Sequence, residues 1–252
     1  AIRQKQIENQ ISEANRLIDR GEADQGIQQL EALNDQHPNH ADIVEALAFA
    51  YSEQKDYALA AFYFESVLKN DPERTHLLPY AARAYAQDKR WKQAANAYER
   101  YLEIQKDDLN AARRLARIYS IQQNTRKALN VYLNAVEAQE GPPSAEDATR
   151  LGNMFRQIGN RNESKNFYEI AIEQAPDEPP LAALAGLFEI HVARENLSKA
   201  KEFAKKTQER NPDILKQLRA YQKYQNLLQV ELEEKRLEQE RILAEKEKKE
   251  IA

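Results

Sequence analysis

The chain has 252 residues and a formal net charge of −4, and 31% of its residues are charged. Only six glycines and nine prolines occur, while Ala, Leu, Glu, Gln, Lys and Arg recur throughout, which is the usage typical of helices rather than sheets. The balanced charge excludes a strong overall bias toward nucleic acid. The absence of cysteine excludes disulfides, thiolate zinc sites and cysteine nucleophiles.

The first residues of the sequence are not expected to act as a signal peptide. The first segment, AIRQKQIENQ, has neither an initiator Met nor the apolar region of a signal peptide. No apolar run approaches the roughly 18 residues that a membrane span needs, so no span is expected. We therefore expect a processed or excised soluble piece, and both the bacterial periplasm and the cytoplasm are compatible with it.

Three consecutive segments share one arrangement of small and aromatic residues. A small residue is followed by an aromatic residue, a polar turn, a second alanine and a second aromatic residue. These positions are Ala48, Tyr51, Ala60 and Phe64, then Ala82, Tyr85, Ala94 and Tyr98, then Ala116, Tyr119, Ala128 and Tyr132. The arrangement recurs with a period of roughly 34 residues. Weaker copies extend it to six repeats, at about 7–40, 41–74, 75–108, 109–142, 145–178 and 181–214.

This pattern resembles the tetratricopeptide repeat family over about residues 7–214. The resemblance implies an all-α, right-handed superhelical solenoid of about six helix hairpins, in which helix A and helix B of each repeat pack at the small residues. Four prolines stand where B helices should end, because proline cannot continue a helix, namely Pro38, Pro72, Pro176 and Pro212.

The chain changes character after Pro212. Apolar residues at helical spacing predict a long helix that caps the sixth repeat, and they are Ile214, Leu215, Leu218, Tyr221, Leu228 and Leu232. From Glu231 onward most residues are polar or charged, which predicts a solvated extension, with a coiled coil as the alternative. We therefore predict two domains, a solenoid at 1–212 and a capping helix with its charged extension at 213–252.

No catalytic or metal-binding motif is present. The four histidines, His37, His40, His76 and His191, belong to no metal signature, and the six glycines are too dispersed for a phosphate loop. His191 stands where helix A usually has a tyrosine, so we expect it to pack in the core. No catalytic residue, metal or cofactor is expected, and an enzyme is the least favoured class of protein.

The resemblance also implies a binding groove. In the tetratricopeptide family helix A lines the concave surface, where an extended peptide or a partner helix binds. Carrying the repeat phase onto this chain gives an acidic set in the first two repeats, which includes Asp42 and Glu45, and an arginine-rich set in the middle. The predicted partner-binding residues are Tyr80, Arg83, Asn110, Arg113, Arg114, Arg117, Arg150, Asn153 and Arg156.

The arginines are the sharpest functional signal. Residues 109–121 contain no acidic residue, and Arg113 and Arg117 repel each other across one helical turn. Arginine forms forked, charge-assisted hydrogen bonds to carboxylate or phosphate, so an anionic ligand would offset this repulsion. The alternative is that the arginines are solvated or pair with acids on neighbouring helices, such as Glu146 and Asp147.

These residues favour a protein-interaction scaffold for an acidic protein or peptide. The family's carboxylate clamp for chaperone tails is matched poorly, because Ala182 and Gly186 stand where its third repeat needs basic residues. The alternative function is a periplasmic or envelope module of a bacterial export or outer-membrane assembly complex, in contact with an anionic polysaccharide. A nucleic-acid partner is not expected. Self-association could use the groove or the C-terminal helix.

Overall fold

A computed structural model describes the backbone of residues 2–251 and the side chains of residues 3–247. The backbone between residues 2 and 251 is helical almost throughout and forms no strand, so the predicted all-α repeat fold is confirmed. The helices are α1 (Ile2–Asp19), α2 (Ala23–Gln36), α3 (Ala41–Glu53), α4 (Tyr57–Asn70), α5 (Leu78–Gln87), α6 (Trp91–Ile104), α7 (Leu109–Ile121), α8 (Thr125–Glu137), α9 (Ala145–Gln157), α10 (Arg161–Gln174), α11 (Leu181–Ala193), α12 (Leu197–Arg210), α13 (Ile214–Gln217) and α14 (Tyr221–Ile251).

The chain divides into two compact units, residues 1–138 and residues 139–252. In unit 1 the helices α1 to α8 form successive hairpins, each helix packing on the next. In unit 2 the same holds for α9 to α12, while α13 and α14 pack on α12. The boundary between domains near residue 212 stays a prediction about the chain's organisation.

One type of turn joins helix A to helix B in every hairpin. Each turn contains a residue with a positive φ between 58° and 86°, and the six are Gly21, Lys55, Lys89, Gln123, Gly159 and Glu195. The next residue donates its N–H to a carbonyl in the last turn of helix A, as Arg90 does to Tyr85 at 2.8 Å. This is the Schellman arrangement, which needs a left-handed residue at the helix end.

The small residues of the repeat lie where two helices approach closely. Ala60, Ala82, Ala94 and Ala128 are fully buried. Ser164 occupies the same position in α10 and is also buried, and its hydroxyl donates to the carbonyl of Gly152 at 2.8 Å. Larger side chains at these positions would separate the backbones, which is why the sequence period predicts the helix pairs.

The aromatic residues at the end of helix A link adjacent repeats. The hydroxyl of Tyr51 donates to Glu31 at 2.5 Å, and that of Tyr119 donates to Glu99, so each tyrosine joins its helix A to the preceding helix B. Burial and the carboxylate together raise the pKa of both tyrosines. His191 takes this position in α11, where it is buried as predicted and stacks on Phe203 at 5.5 Å.

Only the first part of α14 covers the solenoid. Tyr224 is buried and meets the Phe188 ring edge-on at 5.1 Å, and Glu231 forms an ion pair with Lys201. Leu232 is 70% exposed, so its assignment to the capping face is wrong; α14 has turned that side chain away from α12. None of the described helices is long and apolar enough to cross a membrane.

Candidate functional site

A cavity of about 450 Å³ lies between α5, α6 and α7 in unit 1. We call it the central cavity. It contains four of the nine predicted partner-binding residues, which two consecutive A helices contribute. Its lining is Thr75, His76, Pro79, Tyr80, Arg83, Tyr98, Tyr101, Ile104, Gln105, Asp108, Asn110, Ala111 and Arg114. The volume falls within the range of roughly 300–1,000 Å³ that is usual for small-ligand pockets.

Arg83 of α5 and Arg114 of α7 form the basic wall of the central cavity. Both side chains are exposed, and no carboxylate among the described side chains forms an ion pair with either. Both guanidinium groups act electrostatically on Tyr98, whose side chain lies between the two helices and is only 2% exposed. Burial raises the pKa of Tyr98 to about 12, and the two arginines oppose that rise. The hydroxyl therefore stays protonated at neutral pH.

An apolar wall faces the arginines. It consists of Pro79, Tyr80, Tyr101 and Ile104, of which Tyr80 is 44% exposed and Ile104 is 53% exposed. The Tyr80 ring packs against the Phe49 ring in an edge-on contact, with 5.0 Å between the ring centroids. Exposed side chains of this size beside unpaired cations are typical of a surface that binds another molecule.

Asp108 is the one acidic residue in the lining, and its carboxylate is already used. One oxygen accepts the Ala111 N–H at 2.9 Å and caps α7, while the other accepts the Tyr101 hydroxyl at 3.0 Å. The carboxylate keeps its negative charge, but Arg83 and Arg114 together outweigh it by one unit. The central cavity therefore retains a positive charge toward solvent.

Two further predicted residues of α7 lie outside this lining. Arg113 is half-buried and donates from Nε to the Tyr132 hydroxyl at 3.4 Å. Arg117 is exposed on the same helix. The structure thus brings Tyr80, Arg83, Asn110 and Arg114 together and leaves Arg113 and Arg117 beside them.

The three remaining predicted residues belong to α9 in unit 2, and each has a protein partner. Arg150 donates to Glu146 at 2.6 Å within α9 itself, and Arg156 forms an ion pair with Glu189 of α11. The side-chain oxygen of Asn153 accepts the Tyr168 hydroxyl at 2.6 Å.

Gly186 of α11 was assigned to the groove, and this is wrong. The residue is buried, and the ring of Tyr168 fills the space above its Cα. Two glycines enclose this ring, since a Cβ built on either Gly152 or Gly186 would overlap it.

Part of the predicted acidic set of the first repeats pairs with a single arginine. Arg74 donates to Asp42 at 2.6 Å, to Glu45 at 2.5 Å and to Asp71 at 2.9 Å. Burial opposes ionisation of Asp42, but hydrogen bonds from Arg74 and Gln4 outweigh it and lower its pKa. A cavity of about 410 Å³ beside this cluster is lined by Asp19, Asp42, Glu45 and Glu53, so the single charge of Arg74 leaves it negative.

Several lining residues were missed because only helix A was assigned to the groove. Tyr98, Tyr101 and Ile104 come from helix B, and Gln105 comes from the loop that follows it. One sequence feature could have pointed to Tyr98: it carries a hydroxyl at a position of helix B where the preceding repeat has the apolar Phe64. Apolar Ile104 directly before a polar loop was a second signal.

The fold defines an all-α repeat protein, and the central cavity lies between its consecutive hairpins. The tetratricopeptide repeat family model matches residues 51–118, which span α4 to α6 with the adjoining parts of α3 and α7. The resemblance to the tetratricopeptide repeat family is therefore confirmed over residues 51–118. No curated protein sequence matches it significantly.

Solved structures share the fold at low sequence identity. YrrB, described as a tetratricopeptide repeat protein with an unusual peptide-binding site, is 19% identical with a TM-score of 0.56, and the match covers 73% of this chain and 93% of YrrB. The pilF protein of Pseudomonas aeruginosa is 14% identical with a TM-score of 0.51, covering 90% of this chain and 99% of its own. MamA of Desulfovibrio magneticus RS-1 is 17% identical with a TM-score of 0.54, covering 69% and 97% respectively.

Proposed function

We propose that this protein is a non-catalytic interaction scaffold that binds an acidic segment of a partner protein in the central cavity. One observation carries the proposal: Arg83 and Arg114 face the same cavity without a carboxylate partner, opposite an exposed apolar wall. The fold supports the coarser statement, since proteins of this repeat class bind other proteins or peptides.

Electrostatics favour an anionic ligand over a neutral one. Two guanidinium groups that both act on one hydroxyl also repel each other, and an anion between them removes that repulsion. A charge-assisted hydrogen bond to a partly shielded arginine contributes roughly 1.5–3 kcal/mol.

The apolar wall favours a peptide over a polymer of sugars. Pro79, Tyr80, Tyr101 and Ile104 offer surface that apolar side chains can cover, whereas an anionic polysaccharide would meet only the charge requirement. The envelope role with a polysaccharide partner is therefore our second candidate. Five residues stay in the proposal as secondary contacts: Arg113, Arg150, Asn153 and Arg156 already have a protein partner, and Arg117 lies outside the lining of the central cavity.

A binding screen tests this proposal. We would measure binding of an acidic peptide library and of a polygalacturonate oligosaccharide to the wild-type chain and to the double variant Arg83→Ala with Arg114→Ala. We expect peptides to bind the wild type, with weaker binding at physiological than at low salt, because solvent-exposed charges are screened within about 8–10 Å. The double variant should lose this binding.

The matched control removes the same charge elsewhere. Arg100→Ala with Arg126→Ala replaces two exposed arginines on B helices that do not line the central cavity, so binding should persist. Equal binding by wild type and the cavity variant would refute the proposal. Preference for polygalacturonate over every peptide would favour the second candidate.

A further inference from the structure

Three tyrosines occupy the same position of helix B in successive repeats, and their hydroxyls differ. The Tyr168 hydroxyl donates to Asn153 at 2.6 Å, and the Tyr132 hydroxyl accepts from Arg113 at 3.4 Å. The Tyr98 hydroxyl has no hydrogen-bond partner among the described side chains and backbone. Tyr98 lines the central cavity and its hydroxyl is not sealed from solvent, so a ligand in the cavity can reach it.

The surroundings of Tyr98 indicate what that external partner is. Asn153 of α9 is equivalent to Arg83 of α5 in the repeat, so in repeat 3 a cation replaces the amide that accepts the tyrosine hydroxyl in repeat 5. An arginine cannot accept a hydrogen bond. Of the charged groups that act on Tyr98, Arg83 and Arg114 can only donate, and the carboxylate of Asp108 already accepts from Tyr101 and Ala111.

We propose that Tyr98 is a ligand-binding residue, whose hydroxyl joins Arg83 and Arg114 in binding a single side-chain carboxylate of the partner segment. This inference rests on the proposed function and names the chemistry of the same cavity. A carboxylate has about four lone-pair sites, which match one phenol O–H and the forked N–H groups of two guanidinium groups. Because the ring of Tyr98 is buried, its hydroxyl is fixed before the ligand arrives.

The rim of the central cavity favours an acidic residue inside a chain over a chain terminus. Asn110 and Gln105 are exposed amides on the loop side of the arginines, and amides pair with both the N–H and the C=O groups of a passing backbone. The apolar wall lies beside them and can receive a neighbouring side chain. A peptide whose backbone continues on both sides of its Asp or Glu can contact the two amides and the apolar wall at the same time.

A double-mutant cycle between protein and peptide tests the inference. The probe is the tightest binder from the acidic library, acetylated and amidated at its ends, together with a version in which its central Glu is Gln. Tyr98→Phe removes only the hydroxyl, and Tyr132→Phe is the matched control one repeat later. We expect Tyr98→Phe to weaken the Glu peptide about tenfold or more and to leave the Gln peptide unchanged. The control should change the ratio of the two affinities less than about twofold.

The outcomes separate the inference from the proposed function. If Tyr98→Phe keeps the preference for Glu while Arg83→Ala with Arg114→Ala loses it, the inference is overturned and the proposed function stands. If no acidic peptide binds the wild type, both fall. If a Gln peptide with a free C terminus, or inorganic phosphate, competes as well as the Glu peptide, the assignment to a side-chain carboxylate is overturned. Circular dichroism of each variant confirms that it is folded.

Discussion

The ring of Tyr168 lies over Gly186, and a Cβ built on that glycine would come within 2.2 Å of the ring atom Cε2. The ring cannot move away, because it is fully buried and Gly152 encloses its other edge. We expect Gly186→Ala to destabilise unit 2 by about 1–3 kcal/mol or more, although alanine has the higher helix propensity. Urea unfolding followed by circular dichroism measures this change.

A second substitution identifies the cause. Tyr168→Leu with Gly186→Ala should be less destabilised than the sum of the two single variants, since the smaller side chain leaves room for the new methyl group. Additive losses would mean that the overlap with Tyr168 is not the reason for the glycine.

In the hairpin turns, introducing a glycine should stabilise the protein. Lys89 has a φ of 59° between α5 and α6, a conformation that costs a residue with a side chain about 1 kcal/mol relative to glycine. We expect Lys89→Gly to raise the free energy of unfolding by about 0.5–1 kcal/mol. The control Lys92→Gly, at an exposed helical position, should lower it by a similar amount. A loss of stability in Lys89→Gly would contradict the left-handed turn.

The sequence predicted the helices well because their spacing comes from packing. Ala48, Ala82 and Ala116 recur with the repeat period, and each lies where helices of the same hairpin meet, so the pattern reports close approach directly. The conformation of the turns could not be predicted from the sequence. Lys89 and Gln123 adopt the left-handed conformation, but neither is a glycine, the residue from which that conformation is usually predicted.

The site was predicted only in part, because repeat phase assigns a face of a helix and not a set of contacts. It identified Arg83 and Arg114 on helix A, but not Tyr98 or Ile104, which reach the same cavity from helix B. The repeat phase also does not predict which charged side chains form ion pairs. Arg74 lies in a connection, outside the periodic positions, yet it forms ion pairs with Asp42 and Glu45 of the acidic set.

The tyrosine hydroxyls of helix B should contribute unequally to stability. Tyr168→Phe removes the hydrogen bond to Asn153 and should cost about 1 kcal/mol. Tyr98→Phe removes a hydroxyl without an internal partner, so we expect no loss in the absence of ligand. Thermal unfolding of the two variants beside the wild type measures the difference. Equal losses would mean that the Tyr98 hydroxyl has a partner inside the protein.

His191 should make unit 2 sensitive to mild acid. Burial lowers its pKa in the folded chain, and the nearby charges of Lys165 and Arg194 act in the same direction. The unfolded chain therefore binds a proton more readily, so stability falls as the pH drops below the unfolded value of about 6.5. We expect His191→Phe, which restores an aromatic residue at this position, to remove this dependence. Urea unfolding at pH 7.5 and pH 5.5 compares the two proteins, and an unchanged pH dependence in the variant would contradict the assignment.

The long helix α14 should stabilise unit 2 only through its first turns. Tyr224 is buried against Phe188, whereas Leu237, later in the same helix, is 53% exposed. We expect Tyr224→Ala to cost about 3–5 kcal/mol, as for other buried aromatic residues, while Leu237→Ala should change the free energy of unfolding by less than about 0.5 kcal/mol. Removal of residues 233–252 should likewise leave the unfolding midpoint unchanged in urea at low protein concentration. If truncation or Leu237→Ala instead lowers a midpoint that rises with protein concentration, the exposed half of α14 joins two copies of the chain, and the solvated helix would be the wrong assignment for it.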